Sequence, residues 1–238
     1  MALFSRDNRI YIKQFSYHGT FVTDSSPLAN YPMQAVNMQS IMPLPIIARG
    51  VIRELEDILS DPHLKEKNIQ LFLNNYPEFL MALGYCQAKP HLCLRPDELL
   101  SVSEKKIFTP DYILELPGNR GIDILDLKLP SANLLVRDPY LRISHEITKA
   151  VAQLKTYEKY FEDKNNRKQF HDRYNLQAFK PELIVVIGRS SQFKNIEERK
   201  IIESNMGGIK LFTYDDLISY GISRSVDLSE YNQQCDYC

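Results

Sequence analysis

Thr109-Pro110-Asp111-Tyr112-Ile113-Leu114-Glu115, followed by Gly121-Ile122-Asp123-Ile124-Leu125-Asp126-Leu127-Lys128-Leu129-Pro130, is the segment around which the architecture is organised. It reads as two short strands joined at Pro117-Gly118-Asn119-Arg120, a cluster of turn-forming residues. In the second strand, alternation puts Ile122, Ile124, Asp126 and Lys128 on one face, and Asp123, Leu125, Leu127 and Leu129 on the other. An acid and a lysine therefore project side by side from an otherwise apolar strand. Burying two charges there costs free energy unless each has a partner or a metal nearby. Asp111, at the start of the neighbouring strand, can bring a second carboxylate to the same place. Two carboxylates and a lysine on adjacent strands are a minimal set for holding a divalent cation beside a phosphate.

Working outward toward the N-terminus, residues 47–60 predict a helix with Ile52, Leu55, Ile58 and Leu59 on one side, ended by Asp61-Pro62. A second helix is expected from Leu64 to Asn74, with Ile69, Leu71, Phe72 and Leu73 as its apolar side. On it, Glu66 and Gln70 lie four apart and share a face. Pro77 starts a short further turn, and extended pieces at 82–94 and 105–108 flank a loop at Arg95-Pro96-Asp97. Residues 9–24 suggest a hairpin turning near Tyr17-His18-Gly19, and 25–46 a linker rich in Pro, Ser, Asn and Met.

Toward the C-terminus the chain reads as irregular from Pro130 to Arg142. Ser144 then caps a helix reaching Phe161, with Ile147, Val151, Leu154 and Phe161 as its apolar stripe and Gln153 and Tyr157 one turn apart beside it. A polar loop is expected over 162–180, then a buried central strand over Glu182–Gly188, a charged helix over 194–204, a short strand over 210–213 and a last helix from Tyr214, with a loose tail from Ser223. Helix, three strands, helix, strand predicts an α/β (α+β) core in which helices cover a mixed central sheet.

Hydrophobic content of 44% and charged content of 25% are those of an ordinary globular chain. A net charge of −1 argues against nucleic-acid binding by bulk electrostatics, so any such binding needs a local groove or a metal. No apolar run is long enough for a bilayer, and Arg6 and Asp7 fall where a signal peptide is apolar, so the expectation is a cytoplasmic protein without membrane contact. Cys86, Cys93, Cys235 and Cys238 allow a four-sulfur zinc site, but free thiols suit their surroundings better. The five histidines form no zinc spacing.

Plainer readings stand beside these. Asp126 and Lys128 could be a strand-surface ion pair, and Gln153 and Tyr157 a polar helix rim. Glu54, Glu56 or Asp57 could supply the acid assigned below to Glu66. Arg142, Lys149, Lys155, Lys159, Arg167 and Lys168 could track a phosphate backbone, although such runs are usually solvated. Tyr214-Asp215-Asp216 reads as a helix start rather than as further metal ligands.

Pro110-Asp111 followed by Asp126-Leu127-Lys128 is similar to the PD-(D/E)XK nuclease signature. More narrowly, the chain resembles the nuclease domain of the Shedu family of bacterial anti-phage defence proteins. Four stretches carry that resemblance: Gln70-Leu71-Phe72-Leu73 with Pro77-Glu78-Phe79-Leu80, the Pro-Asp strand pair, the helix with Ala150, Gln153 and Tyr157, and Phe212-Thr213-Tyr214-Asp215-Asp216-Leu217. They lie within residues 64–220; residues 1–50 carry no such likeness. The resemblance implies a restriction-endonuclease-like core over 51–222, preceded by an extension over 1–50 and followed by a tail over 223–238.

It further implies a metal-dependent endonuclease that cuts foreign DNA. Asp111, Asp126, the Leu127 carbonyl and Glu66 would bind Mg²⁺, with Mn²⁺ able to substitute. Lys128 would hold the attacking water or balance charge on the phosphate. Gln153 and Tyr157 would orient Lys128 or the phosphate. A cation that acidifies water leaves no need for a histidine base. Many members carry glutamate where this chain has Asp126, which is one methylene shorter. The implied partners are DNA and further copies of the chain, as a tetramer or dimer. The alternative is a nuclease-like fold without turnover that binds nucleic acid or serves in assembly.

Overall fold

The computed structural model describes residues 2–6, 9–13, 46–95 and 107–226. The strand pair at the centre of the sequence forms as β5 (Tyr112–Glu115) and β6 (Ile122–Leu127), joined by a 3-10 turn over Pro117–Asn119. Gly118 and Asn119 hold positive φ in that turn, which favours the small and Asx-type residues found there. The pair is antiparallel, with Tyr112 opposite Leu125 and Ile113 opposite Ile124.

Around it, β4 (Gln87–Pro90) lies antiparallel to β5, while β9 (Leu183–Val186) runs parallel to β6 and β10 (Lys210–Phe212) parallel to β9. The five-stranded sheet therefore has the order β10-β9-β6-β5-β4 and is mixed. β9 is an interior strand, next to the edge strand β10 and not at the centre as expected, and it is buried along its whole length, as its run of β-branched and apolar residues predicts.

Strand alternation divides the core into two layers. Ile113, Ile122, Ile124 and Val185 point to one side, where they meet Ile147, Ala150, Leu154 and Phe161 of α4 (His145–Glu162) and Phe170 of α5 (Lys164–Tyr174). Tyr112, Leu114, Leu125, Leu127 and Val186 point to the other. That side is covered by α1 (Arg49–Leu59), α2 (Glu66–Asn75), α3 (Glu78–Met81) and α7 (Tyr214–Ser223). α6 (Ile196–Ser204) connects β9 to β10.

Several expectations are corrected. The segment read as a polar loop over 162–180 contains α5. Asp163 caps it by accepting from the Asn165 and Asn166 amides, and Asn175 ends it in the left-handed region. α5 is so polar that it shows little apolar period; Phe170 is its main buried apolar anchor. The stretch read as irregular after Pro130 holds a two-stranded ribbon, β7 (Leu135–Val136) with β8 (Arg142–Ile143). Leu71, assigned to the apolar side of α2, is 53% exposed.

Near the N-terminus, β2 (Arg9–Lys13) pairs with β1 (Ala2–Arg6); the expected turn at 17–19 and the return to 24 lie outside the described residues, as does the linker before residue 46. At the other end, β11 (Ser225–Val226) pairs in parallel with β3 (Ile47–Ala48), bringing the start of the expected tail onto the core. Cys86 and Cys93 are free thiols; Cys235 and Cys238 lie outside the described residues.

Candidate active site

β6 is buried at every position, so its side chains must be matched from both layers. Asp126 is on the α4 side, 1% exposed. One of its carboxylate oxygens is paired with the Lys128 ammonium, and the other accepts from Gln153 Nε2 at 3.1 Å. Gln153 also donates to the Tyr157 hydroxyl at 2.6 Å. Gln153 thus links Asp126 to Tyr157, which it meets because their spacing of four stacks them on one strip of the helix. Ser144 sets the start of that helix, its hydroxyl accepting the Ile147 amide at 3.1 Å.

Asp111 immediately precedes β5. Its Oδ2 accepts the Leu127 amide at 2.7 Å, and its Oδ1 accepts from Gln70 Nε2 at 2.5 Å. A strand residue directs its N–H and C=O to the same edge. The Leu127 carbonyl therefore faces the edge on which Asp111 sits. Tyr112 steadies the other side of this contact, its one hydroxyl proton shared between Asn74 Oδ1 at 2.7 Å and the more distant Gln70 carbonyl at 3.2 Å.

Glu66, one turn before Gln70 on α2, is half-buried. Burial raises its carboxyl above the usual range, Lys128 opposes the rise and Asp111 adds to it, so Glu66 lies within the field of both. Burial likewise pushes Asp126 up, to about 7; Lys128 counteracts this, while Asp111 and Glu66 add to it. Tyr157 is pushed up to about 12 by burial and keeps its proton.

The six side chains assigned from the sequence, Glu66, Asp111, Asp126, Lys128, Gln153 and Tyr157, thus belong to one hydrogen-bonded and electrostatic cluster at the end of β6. The alternatives to Glu66 stand elsewhere: Glu54, Glu56 and Asp57 are exposed on α1. Tyr214-Asp215-Asp216 forms a helix start, with Thr213 and Asp216 making a reciprocal capping box and Asp215 paired with Arg189 at 2.7 Å. Of the basic track, Arg142, Lys149, Lys159 and Lys168 are exposed, and Lys155 pairs with Glu158 at 2.9 Å.

Sequence reasoning gave no site role to Gln70 or Tyr214. Gln70 was readable as the residue one turn after Glu66. For Tyr214, whose hydroxyl donates to the Lys128 carbonyl at 2.6 Å across 86 residues, no local signal existed.

The donors available to a metal are carboxylate oxygens and one backbone carbonyl, with no thiol or imidazole, which is the set that suits a hard divalent cation. Among the described residues no three His, Cys, Asp or Glu side chains form a ready cage. A magnesium ion that keeps several waters asks for fewer, typically one or two carboxylates. Burial is the main cause of the raised carboxyls of Asp126 and Glu66, Asp111 adds to both, and a bound cation would favour their charged forms.

A mixed sheet flanked by helices, with the acid–lysine pair at the end of its middle strand, places the molecule among α+β proteins with a restriction-endonuclease-like core. The family model described as Shedu protein SduA, C-terminal, matches residues 63–218. The chain belongs to the Shedu family, and that membership implies a role in anti-phage defence. A search of the curated proteins found no match. Among the described residues no helix is long and apolar enough to cross a membrane.

Proposed function

We propose that the chain is a metal-dependent DNA endonuclease that hydrolyses phosphodiester bonds of invading DNA. The observation that carries this reading is the meeting of Asp111, Asp126 and Lys128 at one end of the β5–β6 pair, with Gln153 donating to Asp126 and to the Tyr157 hydroxyl. Asp111, Asp126 and the Leu127 carbonyl would hold Mg²⁺ or Mn²⁺, with Glu66 on the flank. The bound cation would polarise the phosphate and acidify water. Lys128, 20% exposed, is the reachable cation of the cluster and would stabilise charge on the phosphate or orient the attacking water. Gln153, held by Tyr157, would fix the Asp126 carboxylate and keep its second oxygen turned to Lys128. The family resemblance is what supports specificity for DNA and assembly into a dimer or tetramer.

A second reading, a nuclease-like fold that binds nucleic acid or assembles without turnover, is favoured by one feature. All four oxygens of Asp111 and Asp126 already accept protein donors, so a cation must share or displace them. Incubation of linear and circular duplex, single-stranded DNA and RNA with the purified protein in Mg²⁺ or Mn²⁺ separates the readings. Cutting of DNA, lost by at least about 100-fold in Asp126→Ala and in Lys128→Ala with the fold intact by circular dichroism, supports the enzyme. Binding without cutting by the unmutated protein supports the second reading, and cutting of RNA alone would overturn the substrate assignment.

A further inference from the structure

The parallel ladder between β6 and β9 ends at the functional lysine. The Lys128 amide donates to the Val186 carbonyl at 2.9 Å, the last ladder bond on that side. In a continued ladder the Gly188 amide would next serve the Lys128 carbonyl. It does not: Gly188 adopts φ 67, turning the chain away, and its amide donates to the Leu129 carbonyl at 3.2 Å. A Cβ at Gly188 would lie 2.6 Å from Leu134 Cδ2, so the turn demands glycine.

The Lys128 carbonyl is served instead by the Tyr214 hydroxyl at 2.6 Å. Tyr214 is wholly buried, and its own amide donates to the Gly188 carbonyl at 3.2 Å. It therefore ties together the two chain ends that leave the sheet at this point. The ring approaches from the layer opposite α4, behind the strand, whereas the Lys128 ammonium pairs with Asp126 on the α4 side. Burial holds the Tyr214 phenol well above its ordinary range, so it remains a donor at any working pH.

We propose that Tyr214 is a positioning residue whose hydroxyl fixes the Lys128 peptide and so aims the Lys128 ammonium at Asp126 and the scissile phosphate. This rests on the reading of Lys128 as the functional lysine. Without the hydroxyl the carbonyl loses its donor, the peptide is free to rotate past the end of the ladder, and the lysine spreads over several orientations.

The test is Tyr214→Phe in the full chain, read by two independent measurements. Reductive ¹³C-methylation gives Lys128 a resonance identified by its loss in Lys128→Arg. The shift of that resonance is expected to move toward those of exposed lysines in Tyr214→Phe. Cutting at saturating DNA is expected to fall on the order of 10-fold or more while the Kd for DNA stays within about two-fold. 4-Aminophenylalanine at 214, which restores a para donor, should recover both. Should Tyr214→Phe fail to fold, 4-fluorophenylalanine fills the same space without a donor and takes its place. A folded variant whose Lys128 resonance is unmoved overturns the proposal, as does a loss of rate and DNA affinity together without that movement. Unmutated protein that cuts no DNA would sink the nuclease reading alone, because the resonance reports the orientation of Lys128 whether or not DNA is cut.

Discussion

Asp126 is a carboxylate folded into the interior of a sheet, and its environment makes ionisation costly. In the unfolded chain it titrates near the ordinary value of about 3.9. In the fold burial raises it to about 7. A raised acid favours the folded state most below the unfolded value, and that advantage disappears as pH climbs through the folded value. In EDTA, the stability of the protein should therefore decline between about pH 4 and 7 through this group, by on the order of 4 kcal/mol, the opposing Lys128 being already included in the raised value. Asp126→Asn, neutral throughout, should flatten that decline and melt higher than the unmutated protein at pH 8, while being inactive. Urea titrations at pH 5 and 8 check this, and an equal decline in both proteins would refute it. The charge pattern itself was readable in the sequence, since alternation from Ile122 to Lys128 already set acid and lysine on one face.

At the scale of elements, α4 is the part that aims the polar side chains, and its start is over-determined. The Ser144 hydroxyl accepts from Ile147 and donates to the Asn133 carbonyl at 2.5 Å, in a site 1% exposed. Ser144→Ala removes a cap and strands a carbonyl, which should cost about 1–3 kcal/mol in urea unfolding. Cutting measured well below the melting temperature should fall less than in Lys128→Ala, since Gln153 lies more than two turns into the helix. This helix was legible because its cap and apolar stripe are local features. α5 was not, because its face is nearly all polar and its stability comes from Phe170 packing edge-on against Phe161, with centroids 5.0 Å apart, and from the Asp163 cap. The β7–β8 ribbon escaped notice because two-residue strands carry no period to read.

For the whole molecule, a net charge of −1 gives one copy little long-range attraction for a polyanion. If several copies share one DNA, sedimentation velocity should show a species larger than the monomer, and cutting should rise more steeply than linearly with protein concentration. A monomer with strictly linear dependence would refute the oligomeric part of the reading. Local sequence was enough for the layered α/β class, the buried strand β9 and the pairing of acid and lysine on one strand face, because strand alternation, caps and turn residues act over a few neighbours. Three-dimensional packing was needed to show that Glu66 lies in the field of Lys128 and Asp111, that Gln70 grips Asp111, and that Tyr214 stands behind Lys128. Those contacts join residues 41 and 86 positions apart, and their partners are chosen by how the two helix layers pack on the sheet, a property no local stretch of chain contains.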